Sequence, residues 1–301
     1  MQQTASHNRQ KKLAVINDFC GFGRCSIAVA LPIISAMHIQ CCPLPTAIFS
    51  DHTGFESFFC EDFTEHMPAY AGEWEKLGLH FDGIATGFLG SARQIDIVKD
   101  FLARFKGEHT KVLVDPVMGD YGKLYPTYTP ELAGRMHELL RFADLLTPNL
   151  TEACILTNTP YREDFTEREL TALCERLSES GPQEIVISGI HLGDDLGNFV
   201  YSRGKTSMLC AHRVGGYRSG TGDVFGAILA ADLAGVRWLI VNEGEGAALS
   251  GEPLEASVRK AADFITKTIL YTQKLGVPDT DGICFEEYVW ELGQTTKEVA
   301  L

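Results

Sequence analysis

Short apolar runs alternate along the chain with amphipathic segments, the pattern of strands and helices that follow one another in turn. The predicted strands cover residues 13–16, 46–49, 83–86, 112–114, 145–146 and 184–187, followed by a hairpin of 197–202 with 207–211. Strands that alternate with helices predict an α/β fold with a mostly parallel central sheet and helices on both of its faces.

The segments between the strands carry apolar residues at helical spacing. Ser91 is placed to cap a helix. The apolar face of that helix would comprise Ile95, Val98, Phe101, Leu102 and Phe105. A helix is also expected over 26–37, where Pro32 should bend it or confine it to its first turns. Further helices are predicted at 130–142, 166–180, 223–235 and 256–274.

Length and composition favour one globular domain. The 301 residues are 45% hydrophobic and contain no repeat and no linker rich in proline or serine, so we assign residues 13–301 to a single domain. Residues 1–12 are polar, lack the apolar core of a signal peptide, and are expected to form a disordered tail. The net charge of −14 argues against nucleic acid or an anionic membrane as a partner.

The nine cysteines show no CxxC pair and no spacing typical of a metal site. Cys41 and Cys42 are adjacent and would bridge only with strain. Reduced thiols in the cytoplasm, several of them buried, are therefore favoured over zinc ligands or disulfides.

Polar residues follow the ends of five predicted strands. They are Asn17-Asp18, residues 50–53, Asp115, Thr147 with Asn149, and Ser188. In open parallel sheets the ligand crevice lies at this edge. Helix capping would account for two or three of these positions but not for all of them.

Residues 219–223, Ser-Gly-Thr-Gly-Asp, directly precede an apolar helical segment. Small residues leave backbone N–H groups accessible at a helix start, which is a place where phosphate binds. A carboxylate at Asp223 has a purpose there if it accepts a proton while the phosphate is attacked. The alternative is a residue that merely favours the helix start through the macrodipole.

Two further segments carry oxygen ligands. Asp115 and Asp120 belong to DPVMGD, and Asn149 and Glu152 stand three apart in TPNLTEA, the spacing of a capping box. Taken together they offer the oxygens that magnesium prefers, and a kinase needs that cation near the β- and γ-phosphates of ATP.

These segments resemble the ribokinase-like superfamily and, within it, the pyridoxal (vitamin B6) kinases. The resemblance runs from about Leu13 to Leu275 and includes GTGD at 220–223, DPVMGD at 115–120 and TPNLTEA at 147–153. IFSDHTGF at 48–55 and TGFLGS at 86–91 are similar to segments of the B6 branch. The resemblance implies a ribokinase-like fold, ATP and Mg²⁺ as cofactors with K⁺ as a further candidate, and a homodimer.

The same resemblance implies a role for each matching residue. Asp223 would be the general base for the 5′-hydroxymethyl group of a B6 vitamer, and the N–H groups of Gly220, Thr221 and Gly222 would hold the transferring phosphoryl group. The residues assigned to ATP are Asp115, Asn149, Ser188 and Thr221, those assigned to metal are Asp120, Thr147 and Glu152, and those assigned to the vitamer are Asn17, Thr53, Phe88 and Asp223.

The sequence departs from the B6 kinases in three places. Asn17-Asp18 stands where many of them have Ser-His, Phe88 replaces a frequent tyrosine, and 236–253 is longer than the usual link. A hydroxymethylpyrimidine or phosphomethylpyrimidine kinase is the nearest alternative, and IFSDHTGF favours the B6 interpretation over it. A catalytically silent nucleotide sensor is a more remote alternative, in which Asp223 would have no purpose.

Overall fold

A computed structural model of the chain describes residues 5–235 and 254–296. The strands are β1 Lys12–Phe22, β2 Gln40–Asp51, β3 Cys60–Asp62, β4 Gly83–Thr86, β5 Lys111–Val114, β6 Gly119–Asp120, β7 Lys123–Leu124, β8 Leu145–Leu146, β9 Glu184–Leu192, β10 Asp195–Ser202 and β11 Lys205–His212. The α-helices are α1 Ser26–Ala36, α2 Met67–Lys76, α3 Ala92–Phe105, α4 Pro130–Arg135, α5 Leu150–Leu156, α6 Glu167–Ser178, α7 Thr221–Ala234 and α8 Leu254–Leu275.

One nine-stranded sheet organises the molecule, in the order β11-β10-β9-β8-β5-β4-β1-β2-β3. Its six central strands from β9 to β2 run parallel, while β10 and β11 at one edge and β3 at the other are antiparallel. β6 and β7 form a separate small hairpin. The mostly parallel α/β architecture predicted from the sequence is confirmed.

Helices cover both faces of this sheet, and each face has its own apolar core. One core contains α3, which is capped by the Ser91 side chain, and all five apolar positions predicted on that helix are buried. The opposite core joins α1, α7 and α8 to the other side of the same strands. Because the strands are buried on both faces, they appear in the sequence as continuous apolar runs rather than alternating ones.

Pro32 does not confine α1 to its first turns, so that one of its two predicted effects is wrong, while the other, a bend, stays a prediction. The helix runs to Ala36 with Pro32 inside it, and Ile33 and Ile34 beyond the proline are fully buried. A proline removes one helical hydrogen bond. Burial of the last turn against the sheet and α7 offsets that loss.

β1 continues beyond the predicted end at Ile16, and its register against β2 shifts between Asn17 and Phe19. Such a bulge re-aims side chains locally. Asn17 and Asp18 are both buried, like the residues of β1 before them, because this strand is covered on both faces.

The part of the predicted tail that the structure describes contacts the domain. Asn8 donates from Nδ2 to the carbonyl of Gly78 at 2.8 Å and accepts the N–H of His80 at 3.0 Å, which attaches this segment to the domain. Residues 1–4 and the 236–253 segment lie outside the described residues. Across the described part of the chain, no helix has the length and apolar character needed to cross a membrane.

Candidate active site

A cavity of about 800 Å³ opens at the carboxyl edge of the sheet. All the residues proposed from the sequence contribute to its wall: Asn17, Thr53, Phe88, Asp115, Asp120, Thr147, Asn149, Ser188, Glu152, Gly220, Thr221, Gly222 and Asp223. The volume lies in the range of small-molecule sites. Their shared cavity follows from topology, because parallel strands bring their carboxyl ends to the same edge.

Gly220 makes the turn into α7 that the GTGD segment requires. It is the N-cap of that helix with φ of +78°, and an added Cβ would overlap the carbonyl oxygen of Arg24. The N–H of Val224 makes a helical hydrogen bond to Gly220 at 2.9 Å. The N–H groups of the helix residues before it have no intrahelical partner, so they are available to an anion in the cavity.

Asp223 lies in the first turn of α7, half-buried in the cavity wall. Desolvation raises the pKa of its carboxyl to about 6, and repulsion from Asp18 adds to that rise. Hydrogen bonds from the backbone N–H of Ser26 and from Asn17 Nδ2, the latter at 3.4 Å, oppose it. A carboxyl with a pKa near neutrality is suited to accept a proton at physiological pH.

Asn17 connects Asp223 to the exit of β4. Its Oδ1 accepts the N–H of Phe88 at 2.8 Å and that of Asp18 at 3.0 Å. Gly87 allows this approach, because an added Cβ would lie 2.6 Å from the Asn17 side chain. With its amide oxygen held by two backbone donors, Asn17 keeps its Nδ2 turned toward Asp223.

Asp115 and Glu152 place two more carboxyls in the same wall. The pKa of Asp115 is raised well above its ordinary value by desolvation and by repulsion from Glu152 and Asp223. Desolvation also raises the pKa of Glu152 to about 7, although its two oxygens accept the N–H groups of Met118 at 3.0 Å and Asn149 at 2.8 Å. This crowding of carboxyls disfavours their charged forms, and a cation would relieve it.

The donor set fits magnesium. Thr147 Oγ1 is buried and, within the described residues, has no hydrogen-bond partner. It shares the cavity wall with the carboxyls of Asp115, Glu152 and Asp120. Magnesium is bound through one or two carboxylates with several waters retained.

Asn149 and Glu152 form the predicted capping box at the start of α5. Asn149 Oδ1 accepts the Glu152 N–H at 3.0 Å, and its Nδ2 donates to the carbonyl of Gly119 at 2.8 Å. The amide therefore supports the β6–β7 hairpin, where desolvation raises the pKa of Asp120. Ser188 of β9 pairs with Asn149 through an isolated parallel bridge, so the two residues are adjacent in the same wall.

Phenylalanine rings line the cavity wall beside Asn17. Phe88 lies edge-on to Phe49 with ring centroids 6.0 Å apart. Thr53 is exposed in this part of the wall. Its neighbour His52 is hydrogen-bonded at both nitrogens, as Nδ1 accepts the Gly54 N–H at 3.1 Å and Nε2 therefore donates to the Thr280 carbonyl at 2.7 Å.

Several wall residues were missed from the sequence. They are Cys20, Cys25, Ser26, Val214, Ile265 and Ile269, whereas Asp18 lies at the strand end where the sequence predicted polar residues. Ile265 and Ile269 are one helical turn apart in α8, so their spacing predicts that they share a face of that helix but does not predict the cavity. Asp18, Cys20 and Cys25 place one potential ligand atom each within 4.8 Å of one another, a proximity created by the β1–α1 turn rather than by spacing.

The sequence profile of the phosphomethylpyrimidine kinase family matches residues 76–281. The matched part contains the Asp115, Glu152 and Asp223 positions and begins after β3. It does not contain Asn17 and Thr53, which line the same cavity.

The relatives include kinases named for two different ring compounds, pyridoxal and hydroxymethylpyrimidine. Pyridoxal kinase of Arabidopsis thaliana is 28% identical over 73% of this chain and 72% of its own. The hydroxymethylpyrimidine/phosphomethylpyrimidine kinase of Haemophilus influenzae is 31% identical over 63% of this chain and 65% of its own. A Bacteroides thetaiotaomicron protein, provisionally named a phosphomethylpyrimidine kinase and crystallised with pyridoxal, is 34% identical over 97% of this chain and 98% of its own, with a TM-score of 0.85.

Proposed function

The chain belongs to the phosphomethylpyrimidine kinase family, of ribokinase-like fold, and from that premise we propose that it is a B6 kinase. It would transfer the γ-phosphoryl group of ATP to the 5′-hydroxymethyl group of pyridoxal, pyridoxamine or pyridoxine. The observation that carries the kinase activity is Asp223, a carboxyl with its pKa raised to about 6 beside the N–H groups that begin α7. The choice of a B6 vitamer is supported by the IFSDHTGF segment and by the Bacteroides thetaiotaomicron relative crystallised with pyridoxal.

In the proposed reaction the vitamer ring occupies the aromatic end of the cavity, near Phe88 and Thr53. Asp223 accepts the hydroxyl proton as the alcohol oxygen attacks the γ-phosphorus. The N–H groups of Gly220, Thr221 and Gly222 stabilise charge on the transferring group without large reorganisation. The phosphoryl–ADP bond breaks as the new P–O bond forms, and the proton remains on Asp223 until product leaves.

The nucleotide would lie at the other end, along Asp115, Asn149 and Ser188. Asp120, Thr147 and Glu152 would hold Mg²⁺, which neutralises charge on the β- and γ-phosphates. Apolar side chains of Val214, Ile265 and Ile269 offer a surface for the adenine ring. K⁺ remains a further candidate cofactor by family resemblance.

A hydroxymethylpyrimidine kinase is the second candidate, favoured by the family profile and by the Haemophilus influenzae relative. Both substrates are aromatic rings with a hydroxymethyl group, so the same base and anion-binding loop would serve either. A silent nucleotide sensor is disfavoured, because binding a phosphate gains nothing from a carboxyl at Asp223.

The test is a coupled ADP-release assay with each of the three vitamers and with hydroxymethylpyrimidine. We expect magnesium-dependent ADP release with at least one vitamer, and strong loss of it in Asp223→Asn. Release with the pyrimidine alone would replace this proposal by the second candidate. No release with any alcohol, despite ATP binding, would favour the sensor.

A homodimer and a cytoplasmic location are also proposed. Exposed apolar side chains near β1–β3, namely Phe19, Phe22, Ile48, Phe58 and Phe59, support a face that is covered by a second copy. All nine cysteines fall in the described part of the chain and are free thiols, which supports a reducing compartment. Sedimentation analysis tests the dimer, and a monomer at micromolar concentration would contradict it.

A further inference from the structure

Two cysteines and an aspartate meet in the cavity wall at the turn from β1 to α1. Cys20 lies near the end of β1, and Cys25 is the N-cap of α1. One sulfur from each and one carboxylate oxygen of Asp18 all lie within 4.8 Å of one another. Within the part of the chain that the structure describes, no other group of three histidine, cysteine or acidic side chains comes so close together.

All three side chains are buried and still border the cavity. Their exposed fractions are 5% for Asp18, 1% for Cys20 and 7% for Cys25. Each of them contributes to the cavity wall, so an ion that enters the cavity from solution can reach them. A metal site needs both features, since burial strengthens the attraction between the ion and its ligands and an entry path admits the ion.

The carboxylate of Asp18 has neutral hydrogen-bond donors only. Its Oδ1 accepts the Ser26 hydroxyl at 2.6 Å, and its Oδ2 accepts the Cys20 thiol at 3.2 Å. Buried charges in proteins are normally paired with an opposite charge or bound to a metal. A cation between Asp18 and the two sulfurs would supply the positive charge that these donors do not.

The two oxygens of Asp18 suit the two tasks of a metal-ligating carboxylate. The Ser26 hydroxyl holds Oδ1 and thereby orients the group, as hydrogen bonds from a second shell do for carboxylate ligands. The other oxygen, Oδ2, faces the sulfur of Cys20. The proton between them is the one that a metal displaces, because a coordinating thiol is deprotonated when the metal binds.

The spacing of the three ligand atoms is close to that of a tetrahedral zinc site. Bonds of about 2.3 Å to sulfur and about 2.0–2.2 Å to oxygen place neighbouring ligand atoms about 3.5–3.8 Å apart. Asp18 Oδ2 and the Cys20 sulfur are 3.2 Å apart, and the widest separation in the group exceeds the ideal by about 1 Å at most. The Cys25 sulfur makes a long contact of 3.9 Å to the carbonyl of Gly23, which a small side-chain rotation toward an ion would give up.

We propose that Asp18, Cys20 and Cys25 form a binding site for one thiophilic divalent cation of the zinc class. Two sulfur ligands select such a cation over Mg²⁺, which prefers oxygen. Three protein ligands leave a fourth position, which faces the cavity and is open to water. The inference concerns metal binding alone and does not rest on the proposed kinase activity.

The experiment measures binding of Zn²⁺ and Cd²⁺ to the full chain by equilibrium dialysis, with a phosphine to keep the thiols reduced. Excess Mg²⁺ is present throughout, so that sites built from oxygen ligands are filled. Cadmium binding is also followed by its thiolate charge-transfer absorbance, which reports sulfur ligands directly. The variants are Cys20→Ser, Cys25→Ser and Asp18→Asn, and the matched control Cys41→Ser/Cys42→Ser removes two thiols outside the group.

Wild type and the control should each bind one Cd²⁺ per chain at micromolar free metal, with the charge-transfer band. Each cysteine variant should bind at least about a hundredfold more weakly and lose about half of the band, because one of two sulfurs is gone. Asp18→Asn should bind about tenfold to a hundredfold more weakly and keep the band, since both sulfurs remain. Zn²⁺ should compete with Cd²⁺ for the same site and raise the melting temperature of the wild type.

Three results would overturn the inference. The first is the absence of stoichiometric binding by the folded, reduced wild type, including the case in which protein prepared without reductant carries a Cys20–Cys25 disulfide instead. The second is binding that survives in both cysteine variants, and the third is binding that is lost in the control. Should a cysteine variant fail to fold, cadmium NMR of the wild type decides, because a shift typical of an all-oxygen site would refute sulfur ligation. Failure of the proposed kinase activity is visible separately, as absent ADP release by a chain that still binds Cd²⁺.

Discussion

Replacing Asp223 by asparagine should lower turnover and raise stability at the same time. The variant keeps the size of the side chain and an acceptor for the Ser26 N–H, but it cannot accept the substrate proton. A pKa of about 6, against an ordinary 3.8, means that the charged form is disfavoured in the folded state by up to about 3 kcal/mol. Because water reaches this half-buried group through the cavity, we expect about 1–3 kcal/mol.

The direction of the stability change follows from the linkage between protonation and folding. A carboxyl whose pKa is raised by folding contributes most favourably below pH 3.8, and that contribution is lost as the pH rises through about 6. At pH 7.5 the wild type therefore bears the whole penalty, which Asp223→Asn removes. Turnover should fall by about 10²–10⁴-fold, the usual contribution of a general base.

The assay pairs ADP release with thermal unfolding, both at pH 7.5 and pH 5. The melting temperature of Asp223→Asn should exceed that of the wild type at pH 7.5, and the excess should shrink at pH 5. A residue that only favours the helix start would behave oppositely, since its loss costs about 0.3–1 kcal/mol and leaves turnover within a few-fold of wild type. A lower melting temperature at pH 7.5 together with nearly unchanged turnover would refute the assignment of Asp223 as the base.

Three further outcomes follow from the same geometry. The value of kcat/KM for the alcohol should fall below about pH 6, where Asp223 becomes protonated, and a flat profile from pH 5 to 8 would exclude it as the base. Glu152→Gln should weaken the magnesium dependence of turnover. The free energy of unfolding of the wild type, relative to this variant, should fall by up to about 3 kcal/mol between pH 4.5 and 7, because the pKa of Glu152 is raised to about 7. A difference that stays constant over this pH range in chemical denaturation would contradict that. Thr53→Val should raise the Michaelis constant for the vitamer more than that for ATP, whereas equal changes would remove Thr53 from the ring site.

The carboxyl edge of the sheet could be predicted because its signals are local. Apolar runs mark buried strands, and parallel strands must end at one edge, so polar residues after each run meet there. The GTGD segment has the same local character, because small residues before an apolar helical run fix a loop and a helix start together. Thus Asp115, Glu152 and Asp223 were found without knowledge of their distances.

The features of the site that the sequence did not predict depend on contacts between distant parts of the chain. The register shift in β1 between Asn17 and Phe19 arises from pairing with β2, and no local sequence pattern predicts it. The left-handed Ser26 is likewise a product of tertiary packing, because serine has no preference for positive φ. Pro32 fails to confine α1 to its first turns for a related reason, since burial of the helix beyond it outweighs one missing hydrogen bond.

Glu152 illustrates a residue whose two interpretations are both supported by the geometry. Its carboxyl completes the capping box at α5 and accepts the N–H of Met118, as an ordinary cap would. It also stands in the cavity wall beside Asp115, which raises the pKa of that second carboxyl. Only the packing of β5 against β8 brings these two groups together, so spacing alone could not couple them.

Direct competition between the two candidate rings tests the central claim most sharply. Pyridoxal and hydroxymethylpyrimidine are supplied at equal concentration with limiting magnesium-ATP, and the phosphorylated products are quantified by mass spectrometry. The product ratio equals the ratio of the two kcat/KM values, independent of enzyme concentration. We predict that pyridoxal 5′-phosphate predominates at least tenfold, on the order of 1.4 kcal/mol of discrimination. An excess of the pyrimidine phosphate would contradict the assignment to vitamin B6.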